Sequence, residues 1–248
     1  MLLKEKKIIV TGCYKGIGKA TLERLAEEGA FIWAFTENVD AEFEEFVSQL
    51  KCKYGVQIEI LKVNLFEEQE IKLAYKKIIN SKQPLDGLVN IAGITYNALL
   101  SMTSIKEMKK LFELNFFSQI LMTQYAVKIM SKFNTKGSIV NISSVSAIDG
   151  NRGQVAYSSS KAALLGATMT LAEELGEHGI RVNAVAPGVI DSSMTSELKQ
   201  EDYVKLVDKT QFKRAGSTKE VADVLVYLLS DLSSYVTGQI IRIDGGMR

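Results

Sequence analysis

The chain has 248 residues, 46% of them hydrophobic and 24% charged, and a formal net charge of +1. This composition is that of one or two globular domains, and the charge gives no bulk attraction to nucleic acid or an anionic membrane. Two cysteines and one histidine exclude a disulfide framework and a histidine-rich metal site, so we expect no metal. Without a signal-like N-terminus or an uninterrupted apolar span, we expect a cytoplasmic protein.

Short apolar runs alternate with helical patterns along the whole chain. The predicted strands are KKIIVTG, FIWAF, VQIEILKVN, LDGLVNIAG, SIVNIS, IRVNAVAPG and QIIRID. The predicted helices are GKATLERLAEEGA, AEFEEFVSQLKCKYG, EEQEIKLAYKKIIN, residues 105–133, residues 156–177 and TKEVADVLVYLLS. Apolar strands alternating with helices predict an α/β fold, a Rossmann-type doubly wound parallel sheet in three αβα layers. No linker divides residues 1–248, so we predict a single domain.

A glycine-rich turn follows the first predicted strand. Gly12, Gly16 and Gly18 are spaced GxxxGxG before a helix. Glycines allow a pyrophosphate to approach the backbone closely, and the helix N-terminus offers free N–H groups. An ordinary tight connection would need glycines too, but the position in the first strand–helix unit favours nucleotide binding.

The end of the second predicted strand bears on the choice of nucleotide. An acidic residue at this end would bind a ribose 2′-hydroxyl and favour NAD. Here Thr36 ends the strand and Glu37 comes one residue later, while Lys15 stands beside the phosphate turn. The sequence therefore favours NADP(H), and Glu37 leaves NAD(H) possible.

The segment YSSSK places Tyr157 and Lys161 four residues apart, on one face of a predicted helix. An ammonium near a phenol favours the phenolate, so we expect Lys161 to lower the pKa of Tyr157. Tyr157 would then exchange a proton with a carbonyl oxygen, and Ser144, at the end of SIVNISS, would hydrogen-bond that oxygen. YxxxK alone is a common coincidence and gains weight only beside the other motifs.

Taken together, these motifs resemble the single-domain branch of the short-chain dehydrogenase/reductase family. The matching segments are TGCYKGIG, NIAG, LNFFS, ISSVS, YSSSK, the Pro-Gly pair at 187–188 and YVTGQIIRIDGG. Within the family, GQVAYSSSKAAL, IRVNAVAPGVIDSSMT and SSYVTGQIIRIDGGM most resemble bacterial 3-oxoacyl-(acyl-carrier-protein) reductases. The resemblance implies NADPH-dependent reduction of a ketone, with a 3-oxoacyl thioester, possibly carrier-bound, as the expected substrate.

The resemblance also implies roles for individual residues. Tyr157 would donate the proton, Lys161 would lower its pKa and hold the ribose, Ser144 would bind the substrate oxygen, and Asn115 would hold a water in a proton relay. The implied cofactor-binding residues are Gly12, Lys15, Gly16, Ile17 and Gly18 at the phosphates, Thr36, Asn64, Leu65, Asn90, Ala92 and Gly93 on the adenosine side, Tyr157 and Lys161 at the ribose, and Pro187, Gly188, Ile190 and Ser192 at the nicotinamide.

Two departures from the family pattern concern the strand ends. The usual NNAG is NIAG, so Ile91 replaces a polar residue that buttresses the central strands. The usual adenine-contacting aspartate is Asn64, whose acceptor oxygen can still bond the base.

A third departure concerns docking of an acidic carrier protein. The family's arginines are replaced by Thr135 and His178, and the neighbouring helix end carries three glutamates within residues 173–177. Like charges weaken docking, and Lys132 and Lys136 would compensate only in part.

Residues 191–215 form a long insert that we predict to be a substrate lid. Met194 and Leu198 could line an apolar pocket there or serve lid packing.

Other functions remain open at this point. They are a reductase of another small ketone or sugar derivative, oxidation of a secondary alcohol, a sugar-nucleotide epimerase or dehydratase, and an NAD(P)-binding regulator without catalysis. The GxxxGxG spacing speaks against the epimerase, and the retained catalytic residues speak against the regulator. The family resemblance further implies a homotetramer.

Overall fold

A computed structural model describes residues 1–193, 195–196 and 200–247. Nine strands are present in this part of the chain: β1 Lys7–Thr11, β2 Phe31–Thr36, β3 Ile58–Lys62, β4 Gly87–Asn90, β5 Ser138–Ile142, β6 Arg181–Pro187, β7 Ile190–Asp191, β8 Gly216–Ser217 and β9 Ile240–Ile243. Seven of them form one parallel sheet in the order β3-β2-β1-β4-β5-β6-β9. β7 and β8 form a separate parallel pair. The predicted α/β fold and all seven predicted strands are confirmed.

Helices cover both faces of this sheet. Their bounds are α1 Gly16–Glu27, α2 Ala41–Tyr54, α3 Glu68–Asn80, α4 Ile105–Phe112, α5 Ser118–Lys132, α6 Ser146–Asp149, α7 Val155–Gly176, α8 Gln200–Asp208 and α9 Thr218–Leu229. None of the helices described is both long and apolar enough to cross a membrane.

The apolar core lies in two layers, one on each face of the sheet. One layer joins the sheet to α1, α2 and α9, and the other joins it to α3, α5 and α7. The strands are apolar on both sides because both faces are covered, which explains why they read as continuous hydrophobic runs.

The direction of the chain reverses between β1 and β4. From β1 the chain moves outward through β2 to β3, and then returns to the other side of β1 and continues through β4, β5 and β6. Ligands of doubly wound folds bind at such a switch point, beyond the carboxyl ends of the strands. The connections that leave these ends carry most of the residues singled out in the sequence.

One helical prediction needs correction, and one helix was not predicted. The helix expected over residues 105–133 is broken by a π-helical turn at Glu113–Phe117, which separates α4 from α5. Such a turn accommodates an extra residue in a helical pattern, so hydrophobic spacing does not reveal it. Residues 200–208 were expected only as part of a lid, and they form α8.

Candidate active site

Gly12 and Gly18 allow the first turn and the start of α1 to meet. Gly12 has φ +69°, and a Cβ there would lie 2.9 Å from the Cα of Ala92. A Cβ on Gly18 would lie 1.9 Å from the carbonyl oxygen of Gly12. Lys15 precedes α1 and provides no side-chain cap for it, so the N–H groups of Gly16, Ile17 and Gly18 face a cleft with the partial positive charge of the helix end. The turn has the backbone geometry that the spacing predicted, and its anion-binding role stays a prediction.

On the adenosine side, the structure brings the end of β2 close to the turn that follows β3. Thr36 is buried and its hydroxyl donates to the carbonyl of Asn38 at 3.1 Å, while Glu37 is exposed. The Asn64 Oδ1 accepts from the N–H of Phe66 at 3.0 Å, so this side chain also holds its own turn. Leu65 is buried beside it.

Asn90 lies where β4 ends, but its side chain belongs to the interior. It is fully buried, and its Nδ2 donates to Thr123 Oγ1 at 3.1 Å and to Asn141 Oδ1 at 2.9 Å. The adenosine-side role implied for Asn90 stays a prediction, and the side chain itself does not face the cleft. It ties β4 to β5 and α5 instead. Ile91 packs against the apolar core and offers no polar contact in its place.

The segment after β4 continues into the catalytic region. Ala92 accepts a hydrogen bond from Gln119 Nε2 at 2.6 Å and donates its N–H to Thr11 Oγ1 at 3.1 Å. A Cβ on Gly93 would lie 3.0 Å from Asn115 Oδ1 and 3.2 Å from Lys161 Nζ. Gly93 thus lies against Lys161 and Asn115, and the glycine leaves room for both side chains. The adenosine-side role implied for Gly93 stays a prediction.

Lys161 reaches from α7 to the end of β5. Its ammonium donates to the carbonyl of Ile142 at 2.7 Å, and the side chain is 3% exposed. Because burial disfavours the charged form, the pKa of Lys161 falls to about 8. No carboxylate is among the groups that act on this amine, so it is a cation held mainly by a carbonyl dipole.

Tyr157 precedes Lys161 by one turn of α7. Burial raises the pKa of its phenol, and a hydrogen bond with Ser144 lowers it in part, so that the pKa stays above its ordinary value. The expected lowering by Lys161 is wrong for the protein alone, because desolvation dominates and the ammonium bonds to Ile142. The phenol therefore carries its proton at neutral pH.

Ser144 follows β5 and is held between that strand and β6. The N–H of Ser143 donates to the carbonyl of Val185 at 2.8 Å, and the N–H of Val145 donates to that of Pro187 at 3.0 Å. These bonds continue the β5–β6 pairing past the strand end. Ser144 is thereby fixed at the mouth of the cleft, where its hydroxyl is near enough to the Tyr157 phenol to lower the pKa of that phenol.

Asn115 lies in the π-helical turn and is fully buried. Its Oδ1 accepts from the N–H of Ile94 at 2.9 Å, and its Nδ2 donates to the Ile94 carbonyl at 2.9 Å and to Ser160 Oγ at 3.0 Å. The side chain thus joins the loop after β4 to α7. The water-holding role implied for Asn115 stays a prediction, and its side-chain amide is already committed to protein partners.

The segment after β6 returns to the phosphate turn. Pro187 ends β6, and Gly188 donates its N–H to Ile243 at 2.9 Å. Ile190 is buried in β7, and Ser192 comes within 3.8 Å of the position that a Cβ on Gly16 would occupy. The structure thus brings the expected nicotinamide-contacting residues to the turn expected to hold the phosphates.

The predicted lid contains β7, α8 and β8. The Tyr203 hydroxyl donates to Asp191 Oδ1 at 2.6 Å, which holds α8 to the end of β7. Met194 and Leu198 lie outside the described residues.

Several residues that position the site were not singled out from the sequence. Thr11 Oγ1 accepts the N–H groups of Ile91 and Ala92, and Ser143 Oγ donates to the carbonyl of Lys161 at 2.9 Å. Ser160 accepts from Asn115 and donates to the carbonyl of Tyr157 at 2.8 Å. Ser143 and Ser160 lie inside the quoted motifs ISSVS and YSSSK, so the motifs pointed to them without revealing their partners.

The cleft has the features that a nicotinamide dinucleotide needs. It offers an uncapped helix N-terminus for a pyrophosphate, an exposed cation at Lys15, and a buried amine near a phenol. Within the described residues, no group of three or more histidine, cysteine or acidic side chains is arranged to hold a metal ion.

Known proteins resemble this chain in sequence and in structure over nearly its whole length. A family model described as Enoyl-(Acyl carrier protein) reductase matches residues 12–248. The chain is 39% identical over 245 residues to the 3-oxoacyl-(acyl-carrier-protein) reductase FabG of Aquifex aeolicus, covering 99% of this chain and 98% of that protein. It is 40% identical over 249 residues to the Thermotoga maritima protein of the same name, covering 100% and 99%. The crystal structure of the dehydrogenase Cj0485 superimposes with a TM-score of 0.90 at 30% identity, covering 98% of this chain and 94% of that one.

The chain therefore belongs to the short-chain dehydrogenase/reductase family, as the sequence motifs indicated. It is an NAD(P)-dependent oxidoreductase, and a nicotinamide cofactor is implied for it.

Proposed function

We propose that this protein reduces a 3-oxoacyl thioester to the 3-hydroxyacyl thioester with NADPH. The observation that carries the proposal is the cluster of Ser144, Tyr157 and Lys161 around one mouth of the cleft, in a chain whose full-length relatives are named 3-oxoacyl-(acyl-carrier-protein) reductases. A protonated phenol beside a hydroxyl is suited to a carbonyl oxygen that gains negative charge.

Each residue has a definite task in this proposal. The nicotinamide supplies the hydride when it is bound. Tyr157 donates its phenolic proton to the carbonyl oxygen, since its raised pKa keeps it protonated at neutral pH. Ser144 donates a hydrogen bond to the same oxygen and stabilises its developing charge. Lys161, fixed on Ile142, provides a positive charge behind the phenol and a donor for the ribose.

NADPH rather than NADH is supported by the charges around the turn. Lys15 is exposed and has no ion pair among the described residues, while Lys19 already pairs with Glu42 and lies over the Phe46 ring. A free cation next to the end of β2 suits a 2′-phosphate. Glu37 is exposed one residue beyond Thr36, so NADH remains the alternative to be measured.

A single-domain enzyme with residues 191–215 as lid is part of the proposal, as is a homotetramer. Exposed apolar side chains support subunit contacts on two surfaces. On the first, Phe117 next to α5 is 54% exposed and Met169 on α7 is 52% exposed. On the second, which follows α9, Leu232 is 65% exposed and Tyr235 is fully exposed. The cytoplasmic location stays a prediction.

The second candidate reaction is reduction of an enoyl thioester, because the matching family model carries that description. It would place the hydride on a carbon–carbon double bond, where a hydrogen bond from Ser144 helps less directly. Reduction of another small ketone or sugar derivative keeps the same residues in the same tasks.

The test is oxidation of NADPH and of NADH by the purified protein with four kinds of substrate. These are acetoacetyl-(acyl-carrier protein), acetoacetyl-CoA, crotonyl-CoA and a panel of small ketones. Fast turnover of acetoacetyl thioesters with NADPH is expected. Preference for crotonyl-CoA would replace the proposal by enoyl reduction, and preference for a small ketone would replace the substrate class.

A further inference from the structure

A cavity lies beside the catalytic cluster and has no task in the chemistry described above. It is lined by Ala98, Leu99, Leu100, Gly150, Asn151, Arg152, Gly153, Val155, Ser158 and Ser159. These residues come from the loop after β4, the loop between α6 and α7, and the first turn of α7. The loop after β4 also carries Ile94, a partner of Asn115, and α7 carries Tyr157 and Lys161.

The two loops are joined, so the cavity is a built feature of the fold. The N–H of Ala98 donates to the carbonyl of Gly153 at 2.8 Å. Gln154 Nε2 donates to Asn97 Oδ1 at 2.8 Å, and Asn151 Nδ2 donates to Gln154 Oε1 at 3.0 Å.

Three chemical features of the wall select a ligand. Leu99, Leu100 and Val155 present apolar surface that is 47%, 76% and 37% exposed. Ser158 Oγ is buried and has no hydrogen-bond partner within the described structure. Arg152 is exposed and makes no ion pair or hydrogen bond with any described residue. No acidic residue lines the cavity beside it. Asp149, which is near in sequence, is bound to Arg242.

An unpaired guanidinium beside apolar side chains is suited to a ligand in which an anionic group adjoins an alkyl group. The phosphopantetheine arm of a thioester has this chemistry, with a phosphate next to a dimethyl-substituted carbon and amide groups nearer the sulfur. Arg152 is five residues from Tyr157, so their Cα atoms lie at most ~17 Å apart, within reach of such an arm.

We propose that this cavity is the subsite for the phosphopantetheine arm, with Arg152 binding its phosphate and Ser158 Oγ bonding an amide. The inference rests on the proposed function. It predicts that the protein distinguishes thioesters by a phosphate far from the reacting carbonyl.

The experiment compares two substrates that differ only in this group, acetoacetyl-4′-phosphopantetheine and acetoacetyl-pantetheine. Arg152→Ala should lower kcat/KM for the phosphorylated substrate about tenfold and leave the unphosphorylated one unchanged. Arg152→Lys, which keeps the charge, should recover part of the loss. Acetoacetyl-(acyl-carrier protein) and acetoacetyl-CoA then show whether the carrier's or the coenzyme's phosphate is the natural one.

The outcomes are distinguishable. If the wild-type protein reduces neither thioester, the proposed function fails. If both are reduced and Arg152→Ala affects them equally or not at all, the subsite is wrong. A changed sedimentation coefficient in Arg152→Ala without any substrate effect would make this surface a subunit contact, which also overturns the subsite.

A separate observation concerns Ser146, the first residue of α6. Its hydroxyl lies 2.9 Å from Ser144 Oγ and its N–H donates to the same oxygen at 3.2 Å. A hydroxyl oxygen accepts two hydrogen bonds and donates one. Ser146 thus fills both acceptor positions of Ser144 and leaves only the Ser144 proton to be directed into the cleft.

We infer that Ser146 is a positioning residue that keeps Ser144 a donor, whose single proton is directed to the Tyr157 phenol before substrate binds and to the substrate oxygen afterwards. Because the Ser144 hydrogen bond lowers the phenol pKa, loss of the Ser146 hydroxyl should weaken that effect.

The test is the pH profile of alcohol oxidation by Ser146→Ala, with Ser146→Thr as the variant that keeps the hydroxyl. We expect Ser146→Ala to lower kcat several-fold, with KM for the cofactor unchanged. The rate of alcohol oxidation rises with pH as the Tyr157 phenol loses its proton, and the pKa of this rising limb should shift upward. Ser146→Thr should restore both values. An unchanged profile in Ser146→Ala, or a loss that Ser146→Thr does not restore, would contradict the inference.

Discussion

The catalytic cluster and the exposed rim of the site are built in opposite ways. In the cluster, Asn115 and Lys161 are buried and bound to neighbouring backbone carbonyls. On the rim, Lys15 and Glu37 are exposed, and neither makes an ion pair with a described residue. The cluster is therefore organised before any ligand arrives, whereas the rim acquires its contacts from the ligand.

This difference decides what a substitution does. A buried polar group that loses its partner costs about 1–3 kcal/mol, and preorganised donors gain strength in a site that excludes water. Exposed charges are screened and contribute less. Changes in the cluster should therefore alter chemistry and stability, and changes on the rim should alter selectivity.

The largest effect is expected for Tyr157→Phe. Removal of the hydroxyl deletes the proton donor and should lower kcat by about a thousandfold, within the range of general acid catalysis. Cofactor affinity, measured by quenching of protein fluorescence, should change little. Retention of more than a tenth of the wild-type rate would show that another group donates the proton.

Lys161→Met tests whether burial lowers the pKa of Lys161, through the pH dependence of the free energy of unfolding. The folded pKa of Lys161 is about 8 against 10.5 for the ordinary side chain, so between these values the unfolded chain binds more protons. Stability of the wild type should therefore rise with pH, by about 2 kcal/mol between pH 7 and 9.5. Urea unfolding of the cofactor-free proteins at both pH values measures it.

The comparison variant in that experiment is the methionine form, which lacks the titrating amine and should lack this rise. Equal pH dependence in the two proteins would mean that Lys161 has an ordinary pKa and lies in a wetter site than its burial indicates.

Lys15→Ala tests the rim at the cofactor. Loss of a cation that contacts a 2′-phosphate should lower kcat/KM for NADPH about tenfold and leave NADH nearly unchanged. Lys19→Ala is the matched control, since Lys19 is already paired with Glu42. Equal losses with both cofactors in Lys15→Ala would show that this lysine binds the pyrophosphate.

The smallest effect is expected where a carrier protein would dock. Thr135→Arg combined with His178→Arg adds positive charge beside Glu177, and should raise kcat/KM for acetoacetyl-(acyl-carrier protein) a few-fold at low salt. Acetoacetyl-CoA should be unaffected. An increase of the same size with both substrates, or none with either, would remove this end of α7 from the docking surface.

Much of the site was predictable because its motifs have fixed local geometry. YxxxK needs only the helical repeat, and GxxxGxG between a strand and a helix needs only a tight turn. The interior contacts of the Asn90 side chain were not predictable, because a residue at a strand end can face the cleft or the interior, and its partners Thr123 and Asn141 lie far along the chain.

The sequence by itself determined the seven-stranded α/β sheet, the phosphate turn and the positions of Ser144, Tyr157 and Lys161, because periodicity and short motifs are local properties. Tertiary structure alone decided the pKa of Tyr157 and Lys161, since burial depends on elements that pack from elsewhere. It also decided that Gly93 lies against Lys161 and that the amide of Asn115 joins two segments. Those contacts bring residues distant in the chain to one edge of the sheet, which no local pattern records.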